Sequence, residues 1–417
     1  MRLARTPFNF TVPLLRNSAA PDAVANPGGW ANTVPPLPKR SRWAFGLVLA
    51  GATALAATVV AVRTVPWFGP LIADQLRSMV GSENVTRLEE VVADVEDRVQ
   101  KTANNRSASS LSDSTPEDLL GGDELTPALS LALANRPADV TPEFPKVASP
   151  EDGAWQPVVT TPGEAPVMYR SLLHPDPERT YSELFLFALD LSRVKVNAVA
   201  GSVEPKSPPT KRGVTRPGVV PEADRGRLIA AFNGGFKAEH GQFGMMVGGE
   251  ELLAPRSTSC TFAAASDGSL KIAAWPNLSK EAGSYAWWRQ TPGCMLENGV
   301  LHPGLRAEGS KNWGATLDGD TVIRRSAVGL SEKGDFLFVG IGKSTTARAL
   351  ATGMRRAGAV HVAQLDVNFS YPRFLLYRRD AETRELTAHA PVKGLLYTRD
   401  EYLGRPSTRD FFYVTAR

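Results

Sequence analysis

From Trp155 onward the chain is a succession of short apolar segments, nearly all of strand length, each closed by Gly, Pro, Asn or Asp. They read PVMYRSLL, YSELFLFALDL, VKVNAVAG, RLIAAFN, FGMMVGG, CTFAAA, LKIAAW, ATLDGDTVI, DFLFVGI, HVAQLD and RFLLYR. With 36 Gly and 32 Pro, the composition favours loops and strands over long helices. One helix stands out, Ser344 to Arg356, with Ser344 or Thr345 able to cap its start and Gly358 beyond its end. It lies between two strand-like segments, the pattern of a crossover connection. The expected fold is therefore α+β: a sheet-rich single globular domain with few helices over residues 155–417. At roughly 260 residues, such a domain can bury one large core.

What precedes it is different in kind. Residues 1–42 are rich in Pro, Asn and Ala and end in Pro-Lys-Arg-Ser-Arg, which reads as a disordered tail. The run WAFGLVLAGATALAATVVAV, residues 43–62, carries no charge, and about 20 such residues suffice to cross a bilayer as a helix. Lys39, Arg40 and Arg42 stand before it, so the expectation is a single-pass anchor with a cytoplasmic N-terminus and a periplasmic or extracellular domain. A cleaved signal peptide is the competing reading, disfavoured by the long tail ahead of the run. Residues 66–103 read as a juxtamembrane amphipathic helix. In it Val85, Leu88, Val92, Val95 and Val99 alternate steps of three and four, compatible with a weak homodimer or with packing on the chain's own domain. Residues 104–154, rich in Ser, Asn, Asp, Pro and Gly, read as a flexible spacer.

The net charge of +4 is modest, and no basic and aromatic face marks a nucleic-acid binder. The histidines at 174, 240, 302, 361 and 389 lack metal-ligand spacing, so neither metal nor cofactor is expected. Cys260 and Cys294 are the only cysteines, either one disulfide or two buried thiols. GIGKST at Gly340–Thr345 imitates a phosphate loop, but Leu337 stands where the motif needs its first glycine.

Two stretches carry chemistry. LIAAFNGGFKAEHGQFGMMVGG, from Leu228 to Gly249, breaks an apolar strand at Asn233-Gly234-Gly235 and passes a polar loop with Lys237, Glu239 and His240. Adjacent glycines permit unusual torsions or close approach of a ligand, although Asn-Gly is equally a hairpin signal. QLDVNFSYPRF, from Gln364 to Phe374, places Asp366 at the end of an apolar strand, a common position for ligand contact and equally one for a turn cap. FNGGF at Phe232–Phe236, RSAVG at Arg325–Gly329, RRAGAVHVAQLD at Arg355–Asp366 and DVNFS at Asp366–Ser370 follow one another in order.

This series resembles the phosphodiester glycosidase domain family, whose members include bacterial envelope and exopolysaccharide-associated proteins. The likeness spans about half the chain. It departs at the last motif, where Val367, Asn368 and Phe369 replace three glycines between Asp366 and Ser370. The resemblance implies hydrolysis of a sugar-phosphate linkage in a glycan. It implies substrate contacts from Asn233, Gly234, Gly235, Asn368 and Ser370, phosphate held by Arg325, and catalysis by Asp366 with Glu239 or His240. Arg324 is expected to point away from Arg325 if both lie on a strand. The alternative is a non-catalytic glycan-binding or envelope-interaction module on the same fold, which the lost glycines motivate.

Overall fold

The computed structural model describes residues 79, 82–103, 109–111, 136–158, 166–208, 215–306, 313–314, 321–380 and 382–417. All of them fall within the unit Ala57–Arg417; the tail at 1–42 and the apolar run at 43–62 lie outside the described residues. Among the described residues no helix is long and apolar enough to cross a membrane.

The described strands form an eight-stranded sheet and two five-stranded sheets, with antiparallel pairing throughout. At the centre of the large sheet, Phe336–Thr345 lies between Glu183–Asp190 and Ile323–Ser331, and Ala359–Val367 flanks the last of these. Phe336–Thr345 and Ala359–Val367 are both antiparallel to the strand between them, so they run parallel to each other. The helix Ala347–Arg356 makes the crossover.

Every residue of ELFLFALD is buried, because both faces of the large sheet are covered. Leu184, Leu186 and Ala188 pack with Leu350, Ala351 and Met354 of the helix. Phe185, Phe187 and Leu189 face the other way, toward the two smaller sheets. There the rings form a ladder. Phe187 stacks on Phe374 at 4.0 Å, Phe374 is followed by Phe232 and Phe412, and Phe412 meets Phe262 and Trp287. Such ring pairs contribute about 0.5–1.5 kcal/mol each beyond their buried area. This ladder joins all three sheets and fixes the residues next to each ring.

The helix begins later than the sequence implies. Ser344 and Thr345 still belong to the strand, Ser344 with φ 52°, and Thr346 is the cap, its Oγ1 accepting from the Ala349 amide. GIGKST is thus strand, not a phosphate loop, and Lys343 pairs with Glu183. The Asn-Gly-Gly break is not a hairpin either. Leu228–Asn233 pairs with Phe374–Arg379 and Phe411–Ala416, whereas Met245–Val247 belongs to a different sheet. Tyr285–Thr291 and Phe411–Ala416, which the apolar-segment pattern passed over, are also strands. Cys260 and Cys294 are disulfide-bonded.

Residues 136–154, assigned by composition to the spacer, lie against the domain. The Val140 amide donates to the Gly153 carbonyl, the Gly153 amide to the Leu172 carbonyl, and Val147 is 7% exposed. Asp152 accepts from the His174 amide and contacts His174 Nδ1, all buried. A polar segment ordered by its main chain and one buried carboxylate leaves no hydrophobic signature in sequence.

Ahead of it, helix Ser82–Ala103 covers part of the expected span 66–103. It docks through Ala93 and Asp97, the latter accepting from Arg179 and Tyr181. Val91, Val92, Val95 and Val99 face away and are exposed.

Candidate active site

The ladder residues place polar neighbours together. Asn233 follows Phe232, Arg373 precedes Phe374, and Asp410 stands two residues before Phe412. Ser326 and Asp366 are cross-strand partners in the large sheet, and Arg289 comes from the middle of Tyr285–Thr291 in the third. All three sheets thus contribute to one cluster.

At its base Asp410 and Arg289 form an ion pair at 2.8 Å, with both side chains no more than 1% exposed. Arg289 also donates to the Phe236, Phe243 and Gln290 carbonyls. The Gly234 amide donates to the Asp410 carbonyl and the Gly235 amide to its carboxylate. A Cβ on Gly234 would collide with Asp410, and one on Gly235 would lie 2.9 Å from Arg289 Cζ. Neither glycine takes a positive φ. The glycines are therefore required for close approach, as the sequence implied, but of the protein's own ion pair rather than a ligand.

Asn233 is 0% exposed and spent in the same way. Its Nδ2 donates to Ser326 Oγ at 2.8 Å and to the Gly234 carbonyl, while Oδ1 accepts from the Arg373 amide. Its role in these contacts is to tie the five-stranded sheet to the large one.

Asp366 is reached from the same turn through a residue absent from the sequence reading. Arg409 Nη2 donates both to the Gly235 carbonyl, at 2.8 Å, and to Asp366 Oδ2. The other carboxylate oxygen accepts from the Val367 amide. Burial pushes the Asp366 carboxyl up, against the opposing pull of Arg409 and that amide. Arg409 is raised despite its own burial, by Asp366, Tyr371 and Asp410. Its guanidinium lies 4.0 Å over the Tyr371 ring, its side chain is 13% exposed, and its buried Nε has no acceptor. The Tyr371 hydroxyl donates to the Asp410 carbonyl, and burial raises its pKa so that it stays neutral.

Arg325, expected to hold phosphate, makes its hydrogen bonds to described residues away from Asp366 and Arg409. It is 0% exposed and donates to the carbonyls of Trp313, Thr321 and Thr345. An irregularity between Ile323 and Arg325 shifts the strand register there. Arg324 is the one near the site loop, donating to the Phe369 and Gly394 carbonyls.

Asn368 and Ser370 build the loop after Asp366. Asn368 Oδ1 accepts from the Ser370 and Tyr371 amides, an Asx turn. No residue from 367 to 370 has positive φ. Val367 and Phe369 are accommodated because the strand runs on through Val367 and the side chain of Asn368 makes the turn. Glu239 and His240 sit in the exposed turn Ala238–His240, 3.5 Å from each other, with Glu239 also near Lys237. The hydrogen bonds and ion pairs of the described residues do not join Glu239 to Asp366.

A buried carboxyl with a raised pKa can transfer protons, and a partly exposed guanidinium can hold an oxyanion. Asp366 and Arg409 offer both at one point. A signal for the missed residues existed. Arg289 is a charge inside the apolar strand YAWWRQT, and Arg409-Asp410 directly precedes FFYV; buried charges are rarely without partners.

No family model and no curated protein matches the chain. Among solved structures it is similar to the zebrafish N-acetylglucosamine-1-phosphodiester alpha-N-acetylglucosaminidase catalytic domain, auto-inhibited by its pro-peptide. Identity is 15%, coverage 63% of this chain and 88% of that one, and the TM-score 0.37. A hypothetical protein from Synechocystis is similar at 9% identity over 60% of this chain and 64% of that one, with a TM-score of 0.35. Similarity at this level leaves the chemistry to be read from the residues of the site itself.

Proposed function

We propose that this chain is a membrane-anchored, extracytoplasmic hydrolase that cleaves a sugar-phosphate linkage of an envelope glycan or exopolysaccharide at Asp366 and Arg409. The observation that carries this reading is the meeting of the Asn233–Gly235 turn and the buried Asp366 carboxyl on the partly exposed Arg409 guanidinium. In the reaction the bond from the anomeric carbon to the phosphate oxygen breaks, and its electron pair leaves with the phosphate. Arg409 holds that phosphate, water supplies the hydroxyl to carbon, and Asp366 takes the water's proton. Glu239 or His240, on the adjoining exposed turn, supplies the second proton-transfer group such hydrolysis commonly uses. The Cys260–Cys294 disulfide is in keeping with an oxidising compartment, and residues 43–62 are the proposed anchor.

A non-catalytic glycan-binding module is the second reading. It is favoured by the 2% exposure of Asp366 and by Val367, which stands where the resembled family carries glycine and whose Cγ1 fills the space that a Cβ on Gly314 would take.

Release of sugar from sugar-1-phosphodiesters by the full chain separates the two. Hydrolysis predicts turnover that drops at least about a hundredfold in Asp366→Asn and in Arg409→Gln, with folding intact. Glycan binding without turnover in the unaltered chain would leave only the binding module.

A further inference from the structure

Four arginines surround this cluster, and three of them have carboxylate partners. Arg289 pairs with Asp410, Arg373 with Glu401 at 2.6 Å, and Arg409 with Asp366. Arg324 is left over. It is 7% exposed, and its hydrogen bonds go to the main-chain carbonyls of Phe369 and Gly394. Burial first, and then the like charge of its neighbour Arg373, push its pKa down to about 10. A neutral amide could clamp two carbonyls as well. Keeping a guanidinium there carries the desolvation cost of a charge with no opposite charge beside it. Arg325 shows the contrast: it is 0% exposed, with no opening to solvent.

Beside Arg324 the surface has a second unusual feature. Phe369 is 37% exposed, the one exposed aromatic ring among the described residues, and its centroid lies 5.0 Å from Arg324 Cζ. It sits three residues from Asp366. The exposed Lys393 adjoins Gly394, whose carbonyl binds the same guanidinium. An apolar ring face next to an uncompensated cation matches a pyranose ring bearing an oxyanion.

We propose that Arg324 and Phe369 form a subsite for an anionic sugar next to the Asp366 centre, so that the glycan bound here is a polyanion rather than an isolated diester. This rests on the reading of Asp366 and Arg409 as the site of the reacting linkage. Phe369 takes the apolar face of the neighbouring sugar, and Arg324 a phosphate or carboxylate upon it.

The test is titration calorimetry of the full chain with three disaccharides built on a sugar-1-phosphate methyl ester. They differ in one substituent of the second ring: a hydroxyl, a phosphate or a uronic carboxylate. The charged forms are expected to bind at least about tenfold tighter than the neutral one, the range of a charge-assisted hydrogen bond. That preference shrinks toward unity in Arg324→Gln and is partly restored in Arg324→Lys. Phe369→Ala, a surface change that spares the fold, weakens binding of all three. The better of the two charged ligands identifies the anion. Equal affinity for all three, absence of binding, or an intact preference in Arg324→Gln would overturn the subsite. Should the charged preference hold while no sugar is released from any diester, the hydrolase reading fails and the subsite stands.

Discussion

Asp410 holds the base of the site with one carboxylate. It neutralises Arg289 and accepts from the Gly235 amide, while its carbonyl accepts from Gly234 and Tyr371. Removing that charge leaves Arg289 buried and unpaired, which costs about 3–5 kcal/mol in comparable sites. Asp410→Asn should therefore lower the unfolding free energy obtained from chemical denaturation by about that amount. A loss below about 1 kcal/mol would show that the pair is hydrated or replaceable. At this scale Asp366 and the Asn-Gly-Gly turn were legible in sequence, because each interrupts an apolar strand where only a specific need tolerates it. Their partners were legible only as charges set against apolar strands. Nothing in the sequence pairs Arg289 with Asp410 or Arg409 with Asp366, which lie far apart along the chain. Whether Arg324 or Arg325 faces the site depends on a register irregularity that no pattern of residue types records.

Among the elements, helix Ser82–Ala103 separates the two uses its valine stripe allowed, packing on the chain's own domain or on a second copy. Val92, Val95 and Val99 are exposed, and the docked side carries Ala93 and Asp97, so the stripe is not what packs on the domain. An ionic latch does that. Burial alone would raise the Asp97 carboxyl, but hydrogen bonds from Arg179 and Tyr181 prevail and hold it below its ordinary value of 3.8. A carboxyl depressed in the folded state adds stability above its unfolded pKa and loses it as pH falls through the folded one. Docking should therefore be intact at neutral pH and lost progressively below about pH 3.8. Asp97→Asn should undock the helix at neutral pH as well, seen as protease cleavage near residue 103. Protection that is equal at pH 7 and pH 3 would mean that other contacts hold the helix. The exposed valines remain the proposed face for a second copy, checked by crosslinking of the full chain. The Cys260–Cys294 bond offers a separate check. It closes a loop of 34 residues, for which chain entropy gives about 3–4 kcal/mol. The double Cys260→Ser, Cys294→Ser variant should lose about that much in chemical denaturation.

For the molecule as a whole, the sheet-rich character was legible because strand-length runs broken by Gly, Pro, Asn and Asp admit few alternatives. The edge of the domain was not, since residues 136–154 are attached by polar and main-chain contacts that resemble a linker in composition. Those contacts decide where an independently folding piece can begin. A chain starting at Trp155 would lack the Val140–Gly153 and Gly153–Leu172 hydrogen bonds, the Asp139 carboxylate that accepts from the Trp155 amide, and the Asp152 partner of His174. It would also uncover the surface against which Val147 packs. A buried Val contributes about 1.5–3 kcal/mol and each hydrogen bond about 0.5–1.5. The removal of a partner from the buried His174 adds to this. The sum exceeds about 3 kcal/mol, or at least about 6 °C in Tm at the scaling for domains of 150–250 residues. A chain beginning at Arg136 should thus melt higher than one beginning at Trp155. Equal melting temperatures would mean that 136–154 rests on a domain complete without it, and that composition had placed the boundary correctly after all.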